Sequence, residues 1–331
     1  MTRFTSPGLR RLLHGVLAAA FAFAGSGAWA QNFPQKLVRI TEPYSSGGGP
    51  DLVARLFADR FSKLWKHQVI VDSRPGASGF LAFDAVKKAP PDGHDLLLSG
   101  NAQLTINPSF LKSVPYDPER DFVPVALLYR TPFFLAVSSN GPFSSVRDVI
   151  AAAKAQPGRM IAAVPYIGSP AHIGGATLDL LIGAQTTQIA FRENGPLFSA
   201  LSNNDLSWSF TTPATAGGFL RNGKVKFLAV ASKHRSPSRP DIPTFEEAGG
   251  PAGLEISAWV AFLAPKGTPP DVVAFINRDV SKVLADAEVR ERFAAFGFEP
   301  ATSTPAELGE MIRNELRSNA EIIRRSGIRP D

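Results

Sequence analysis

Residues 37–51 read LVRITEPYSSGGGPD, a β-branched run that ends in a glycine-rich turn. The next residues, LVARLF at positions 52–57, have the apolar spacing of a helix. Glycines let backbone amides approach a small guest closely, and the N-terminus of the helix behind them carries a partial positive charge. The order of strand, glycine turn and helix predicts a loop that receives an anion. A plain tight turn before a helix is the open alternative.

The chain lacks the motifs of nucleotide binding and of catalysis. Its glycines do not follow the Gly-x-Gly-x-x-Gly spacing, and no Gly-Lys-Ser or Gly-Lys-Thr follows them. There is no Gly-x-Ser-x-Gly elbow and no cysteine, and the histidines are isolated from metal-ligand spacings. We therefore expect no catalytic residue, no metal site and no cofactor. A secreted α/β hydrolase is the enzyme alternative.

Residues 1–30 have the composition of a cleaved secretory signal peptide. Arginines precede an apolar segment at 15–24, and Ala28-Trp29-Ala30 supplies small residues for cleavage before Gln31. The apolar segment is too short to anchor the chain in a bilayer. We expect a periplasmic protein exported by the general secretory route. Twin-arginine export is the alternative, disfavoured because Leu9 stands where that signal prefers serine or threonine.

The charge pattern argues against a nucleic-acid partner. Removal of the signal, which carries three arginines and no acid, lowers the formal net charge from +6 to +3. Lysines and arginines are scattered among acids, without a basic run or interleaved aromatic residues. The length of the mature chain is typical of two domains.

Short apolar or β-branched runs alternate with segments of helical periodicity. The strand candidates lie at 68–71, 95–98, 134–137, 186–191, 225–230 and 259–263. The helix candidates lie at 52–64, 146–155, 173–181, 271–284, 288–296 and 305–325. This alternation predicts an α/β chain with mainly parallel sheets.

Several short phrases occur in an order that composition does not explain. They are residues 43–51, RPGASG at 74–79, PDGH at 91–94, INP at 106–108, PYDP at 115–118, RSP at 235–237, PDIPT at 240–244 and APKGTP at 264–269. In this order they resemble the periplasmic solute-binding proteins of tripartite tricarboxylate transporters, the TctC or Bug family. The resemblance covers essentially the whole mature chain.

This resemblance implies a two-lobed periplasmic binding protein of the type II kind, a monomer that closes on one small organic carboxylate and passes it to membrane permease subunits. Each lobe would hold a mainly parallel sheet flanked by helices. The chain would cross between lobes near Thr131-Pro132 and near Ile256-Ser257. Residues 31–131 and 256–331 then form lobe 1, and 132–255 form lobe 2. A ligand-sensing subunit for a membrane histidine kinase is the alternative role.

The resemblance also implies which residues bind the ligand, mainly through backbone amides and helix N-termini. In lobe 1 they are Tyr44, Ser45, Ser46, Gly47, Gly48, Gly49, Asp51, Asn101, Ala102 and Gln103. In lobe 2 they are Gly168, Ser169, Arg192, Glu193, Thr211 and Thr212. A helix N-terminus can hold a carboxylate without a buried lysine or arginine.

Departures from the family pattern bear on the ligand. The usual aspartate is replaced by Thr211, and Val164-Pro165-Tyr166 stands where small polar residues are usual. A plain citrate or amino-acid ligand is therefore in doubt, and a less polar carboxylate, including an aromatic one, is an alternative.

Several of these candidate residues have a structural interpretation beside the functional one. Arg192 and Glu193 could form a solvated surface pair. Asp51 could serve to cap the helix rather than to bind. Tyr44 could pack in the core, although its position directly before the glycine turn favours a ring that faces the ligand.

Overall fold

The computed structural model describes residues 33–191 and 193–329. The predicted signal peptide and the predicted ligand residue Arg192 lie outside the described residues. No helix within the described ranges is both long and apolar enough to cross a membrane.

The described elements alternate as the sequence pattern predicts. The strands are β1 (Val38–Glu42), β2 (Val69–Ser73), β3 (Asp95–Gly100), β4 (Phe122–Pro132), β5 (Phe134–Ser138), β6 (Ile161–Val164), β7 (Thr187–Ala190), β8 (Trp208–Thr211), β9 (Val225–Val230), β10 (Ser257–Pro265) and β11 (Glu299–Pro300). The helices are α1 (Gly49–Trp65), α2 (Phe80–Lys87), α3 (Asn107–Phe110), α4 (Val146–Ala155), α5 (Pro170–Ile182), α6 (Asn194–Ser202), α7 (Pro213–Arg221), α8 (Pro270–Ala285), α9 (Ala287–Ala295) and α10 (Pro305–Ser326). A 3₁₀ turn at Ala77–Gly79 and a π-helical turn at Ala102–Ile106 complete the list.

The first sheet has six strands in the order β11-β4-β10-β3-β1-β2. Strands β1, β2 and β3 are parallel, and β10 lies between β3 and β4, antiparallel to both. Strands β1 to β4 therefore all run in one direction, and β10 and β11 run against them. The prediction of a mainly parallel sheet holds for strand direction, although the pairings made by β10 and by β11 are antiparallel.

The second sheet has five strands in the order β7-β6-β8-β5-β9. Strand β6 is parallel to β7 and β8, whereas β5 is antiparallel to its neighbours β8 and β9. One strand, β5, opposes the other four. In each sheet one strand, β10 or β5, lies between two neighbours that run the opposite way, and in the first sheet the edge strand β11 is also reversed.

Helices cover both faces of each sheet because their apolar faces pack on the strands. Helix α1 buries Phe57 and Phe61, whose rings lie 5.3 and 6.1 Å from the ring of Phe262 in β10. In the second sheet, Trp208 and Phe210 of β8 lie in a cluster with residues of α4 and α5. The two sheets therefore have separate apolar cores.

The chain passes between the sheets at two adjacent points. Strand β4 ends at Pro132 and β5 begins at Phe134 in the other sheet, while β10 begins at Ser257 opposite Pro132. Between them, the amide of Phe133 donates to the carbonyl oxygen of Ile256 over 3.0 Å. The lobe boundaries given above stay a prediction, and the two sheets with their crossings are the structural basis for it.

Candidate functional site

A cavity of about 580 Å³ lies between segments of the first and second sheets. This volume falls in the range typical of small-molecule sites, about 300–1,000 Å³. The lining includes Tyr44, Gly49, Pro50, Gly100, Asn101, Ala102, Gln103, Tyr129, Thr131, Trp259, Phe296 and Phe298 on one side. On the other side it includes Pro165, Tyr166, Ser169, Pro170, Thr212, Ala214 and Thr215.

Three helices begin at this cavity. The first residues of α1 (Gly49 and Pro50) come from the first sheet's side, and Ser169 before α5 and Thr212 before α7 come from the other. The N-terminal end of a helix carries a partial positive charge and unpaired N–H groups. None of the described lining residues has a charged side chain. The charge presented by the described lining is therefore the partial positive charge of the helix N-termini.

The helices α5 and α7 start in the same way, with a capping hydroxyl, a proline and an alanine. Ser169 Oγ accepts from the amide of His172 over 3.1 Å, and Thr212 Oγ1 accepts from the amide of Thr215 over 3.2 Å. Proline at the first helical position has no N–H to offer. At α7 this leaves the amide of Ala214, which lines the cavity, as the donor without an intrahelical partner.

The glycine turn differs from the predicted cradle. The amide of Gly47 donates to Asp51 Oδ2 over 2.8 Å, and the amide of Gly48 donates to the Ser45 carbonyl oxygen over 3.2 Å. Both donors are used inside the turn, and the residues from Ser45 to Gly48 are exposed and outside the cavity lining. Of the three glycines, only Gly49 lies in the wall of the cavity. A Cβ atom there would lie 2.7 Å from Phe298 Cζ.

Asp51 binds the backbone of the glycine turn and does not line the cavity. Its carboxylate is buried and accepts from Arg55 Nε over 2.9 Å as well as from Gly47. Burial alone would raise the pKa of Asp51, but the hydrogen bonds from Arg55 and from the Gly47 amide lower it to about 2. The alternative from the sequence was that Asp51 caps the helix, but the N-cap of α1 is Gly48, without a side-chain cap, and Asp51 instead binds the amide of Gly47.

Glu42, at the end of β1, is buried next to Asp51. Burial and a hydrogen bond with Asp51 raise the pKa of Glu42 to about 8, against the weaker effect of the hydroxyl of Ser73, which donates to it over 2.9 Å. Glu42 is therefore mostly protonated at neutral pH, and its carboxyl O–H can donate a hydrogen bond to the charged carboxylate of Asp51. The pair fixes the end of β1 to the start of α1.

The segment after β3 provides polar side chains to the cavity. Asn101 Nδ2 donates to the Ser257 carbonyl oxygen over 2.8 Å, which ties this segment to the start of β10. Gln103 Oε1 accepts from Tyr44 Oη over 3.3 Å. Burial raises the pKa of Tyr44 well above its usual range, so its hydroxyl stays neutral and can donate. Gln103, Ala102, Asn101 and Tyr44 all line the cavity, as the resemblance implies.

On the other side, the predicted residues separate into two groups. Ser169 and Thr212 line the cavity. Gly168 does not, because it packs against the ring of Phe110, where an added Cβ would lie 2.8 Å from the ring carbons. Thr211 is buried in β8, and Glu193 is exposed at the start of α6, so both lie outside the lining.

Aromatic residues that the sequence did not single out form much of the wall. They are Tyr129, Phe133, Trp259, Phe296 and Phe298, together with Tyr166, which was noted only as a departure from the family pattern. The ring of Phe298 stacks on Tyr129 with centroids 4.2 Å apart and planes at 13°. The aromatic residues of the segment 293–298 could have indicated an apolar wall. The sequence around them does not show that they lie beside the glycine turn.

The chain is similar to proteins of one receptor family. The family model described as "Tripartite tricarboxylate transporter family receptor" matches residues 53–328. Among curated proteins, Protein BugT of Bordetella pertussis is 32% identical over 322 residues, covering 96% of this chain and 98% of that protein.

Solved structures show the same two-sheet architecture. The R. palustris protein Rpa4515 with adipate has a TM-score of 0.76 and 28% identity, covering 90% of this chain and all of that chain. MatC from Rhodopseudomonas palustris with bound malate has a TM-score of 0.71 and 29% identity, covering 88% of this chain and 100% of that chain. The predicted α/β, two-lobed binding-protein fold is thereby confirmed.

Proposed function

Because the chain belongs to the tripartite tricarboxylate transporter receptor family, a family of periplasmic solute-binding proteins, we propose that it captures a small organic carboxylate in its interlobe cleft for a transporter of that type. One observation carries this proposal. Helices from both sheets direct their N-terminal ends at one cavity of about 580 Å³ whose described lining has no charged side chain.

A carboxylate fits this arrangement because it accepts several hydrogen bonds at once. Its oxygens would meet the amides at the start of α1 and α7, near Gly49 and Ala214, and the side-chain donors of Asn101 and Gln103. The N-terminus of α1, a continuous helix of 17 residues, would stabilise the anion by about 0.3 to 2 kcal/mol, whereas α7 is interrupted at Gly217 and would contribute the Ala214 amide as a local donor. The related proteins whose structures contain adipate and malate support a carboxylate as the ligand class.

The predicted binding residues fall into two groups, according to whether or not they line the cavity. Those proposed to contact ligand are Tyr44, Gly49, Asn101, Ala102, Gln103, Ser169 and Thr212. Those proposed to shape the site from outside are Ser45, Ser46, Gly47, Gly48, Asp51, Gly168, Glu193 and Thr211. Arg192 is kept as a proposed contact from the resemblance alone.

Capture would couple binding to closure of two lobes, residues 31–131 with 256–331 and residues 132–255. The cavity takes its walls from both, so a ligand gains its full set of contacts only when they approach each other. The closed form would then deliver the carboxylate to membrane permease subunits.

The test is a thermal-shift screen of the mature protein against mono-, di- and tricarboxylates, with the corresponding primary amides as matched neutral controls. A ligand that binds only the folded state raises the melting temperature by mass action. We expect at least one carboxylate to raise it, its amide to have little effect, and mass spectrometry to recover the acid unchanged. Failure of every carboxylate, or turnover of the acid at an enzyme-like rate, would refute the proposal.

A further inference from the structure

We infer that the carboxylate bound in this cavity carries an aromatic ring, and that the loop of residues 295–298 selects for it. The inference rests on the proposed function, because it names the class of acid that the same cleft prefers. It starts from the position of that loop, which joins α9 to β11 and supplies Ala295, Phe296 and Phe298 to the cavity wall.

One end of the loop is fixed against the start of α1. The ring of Phe298 stacks on Tyr129 and is held so close to Gly49 that a Cβ atom at Gly49 would lie 2.7 Å from Phe298 Cζ. Gly49 is the first residue of a helix of 17 residues, so its amide has no intrahelical partner. An aromatic side chain therefore stands directly beside a donor suited to a carboxylate.

The other side of the loop lies against the start of α7. Gly297 adopts a positive φ of 71°, and a Cβ atom there would lie 3.4 Å from Ala214 Cβ and 3.8 Å from the Ala214 amide nitrogen. Just beyond the loop, Glu299 Oε1 accepts from Ser236 Oγ over 2.5 Å. The loop is thus held between segments of both sheets, and the half-buried rings of Phe296 and Phe298 keep part of their surface for the cavity.

Two further aromatic side chains of the lining, Trp259 and Tyr44, use their polar atoms in hydrogen bonds within the protein. Trp259 donates its indole N–H to Glu315 Oε1 over 2.7 Å, and Glu315 is not part of the cavity lining. Tyr44 uses its hydroxyl on Gln103. These contacts leave ring carbons to meet a ligand, and aromatic rings prefer stacked or edge-to-face partners.

The absence of charged side chains from the described lining also favours an aromatic ring over a second carboxylate. An acid with a second carboxylate would have to remove that charge from water as well, with only uncharged donors to replace the lost hydration, and incomplete compensation costs several kcal/mol per ion. A ring in the same place has no such cost and gains stacking. The cavity therefore discriminates against compact polyacids and in favour of a ring joined to a carboxylate.

The experiment measures affinity by calorimetry for benzoate, cyclohexanecarboxylate, adipate and malate. Cyclohexanecarboxylate is the matched control, since it has the same number of ring carbons without an aromatic face. We expect benzoate to bind about 2- to 10-fold more tightly than cyclohexanecarboxylate, the contribution of one aromatic contact. It should also bind more tightly than adipate and malate.

Substitutions in the loop test whether its aromatic rings cause the preference for benzoate over cyclohexanecarboxylate. Phe298→Leu and Phe296→Leu should each reduce the ratio of benzoate to cyclohexanecarboxylate affinity toward one. Phe275→Leu, which removes a partly buried ring outside the cavity lining, should leave the ratio unchanged. Circular dichroism verifies that each variant is folded.

The outcomes separate the two proposals. Binding of adipate or malate with no preference for benzoate would overturn the aromatic inference and leave the carboxylate function standing. Equal affinity for benzoate and cyclohexanecarboxylate, or an unchanged ratio in both loop variants, would also overturn the inference. If no acid of the wider screen binds, the proposed function itself fails.

Discussion

The backbone of Phe133 is hydrogen-bonded to that of Ile256, with the Phe133 amide donating over 3.0 Å, so the two connections between the sheets are paired side by side. Ala231 extends the pairing, because its amide donates to the Phe133 carbonyl oxygen over 2.8 Å and its own carbonyl oxygen accepts from Ile256 over 2.9 Å. We expect a relative rotation of the predicted lobes to bend the chain at this junction.

Ligand should therefore reduce the radius of gyration in small-angle scattering. The ligand to use is the acid that gives the largest rise in melting temperature. Ser169→Trp would place a large ring in the cleft and should abolish both binding and compaction, whereas Ser199→Trp on the exposed side of α6 should preserve both. An unchanged radius at saturation, in a protein shown to be open beforehand, would exclude closure.

The glycines of the turn should differ in their effect on binding. Gly49→Ala should weaken ligand affinity by at least about 5-fold, because its Cβ would lie 2.7 Å from Phe298 and overpacking costs about 1–3 kcal/mol. Gly48→Ala is the matched control and should stay within about 2-fold, since Gly48 is exposed with an ordinary φ of −71°. Calorimetry measures both. Equal losses in two folded variants would contradict the placement of Gly49 alone in the cavity wall.

Glu42 should make the protein less stable as the pH rises. Its pKa is raised from 4.5 to about 8 by burial, so between these values the folded state holds more protons than the unfolded state. The free energy of unfolding therefore falls with rising pH across this window, by roughly 2–5 kcal/mol. Asp51, whose pKa is lowered to about 2, stays charged throughout.

Urea denaturation at pH 5 and pH 8.5 checks this effect. Glu42→Gln keeps a neutral donor beside Asp51 and should flatten the pH dependence relative to the unchanged protein. Glu291→Gln, at an exposed position on α9, is the control and should retain the full dependence. If Glu42→Gln and the unchanged protein lose stability in parallel, Glu42 does not carry a raised pKa.

Trp259 should report ligand binding by fluorescence. It is the tryptophan in the cavity lining, whereas Trp65 and Trp208 lie in the two cores. Trp259→Phe should remove most of the ligand-induced change in emission, and Trp208→Phe should keep it. Loss of the hydrogen bond to Glu315 should also cost about 1–3 kcal/mol of stability. A full ligand response in a folded Trp259→Phe variant would place the ligand elsewhere.

Much of the architecture could be predicted because it depends on local patterns. The alternation of β-branched runs and helical periodicity predicts an α/β chain with mainly parallel sheets, and the glycine turn marks the start of α1. The division into two lobes came from the family resemblance, and β4 was not among the predicted strands. The sequence also allowed part of the site to be predicted. Strands β1 and β3 are parallel, so the residues that follow them, Tyr44, Asn101 and Gln103, are expected at the same edge of the sheet.

The aromatic wall depends on contacts that no local pattern encodes. Phe298 reaches Gly49 because Glu299 pairs with Arg130 in β4 and because the ring stacks on Tyr129. The hydrogen-bond partners of the amides in the glycine turn could not be predicted from the sequence either. Whether the Gly47 amide donates to a ligand or to Asp51 depends on the backbone conformation of the turn, in which Gly47 has a positive φ of 83°, and on the position of the Asp51 carboxylate. Residue spacing determines neither.

The insertion of β10 between β3 and β4 has a consequence for the order in which the chain can assemble. The second sheet is made from one uninterrupted stretch, so all its strands exist once synthesis has passed β9. The first sheet has a gap at its centre until β10 emerges, since β3 and β4 contact each other only through that strand. A chain that ends before β10 therefore leaves one edge of β3 and both edges of β4 unpaired, since β11 also follows β10. The first sheet is completed only when the C-terminal third is intact.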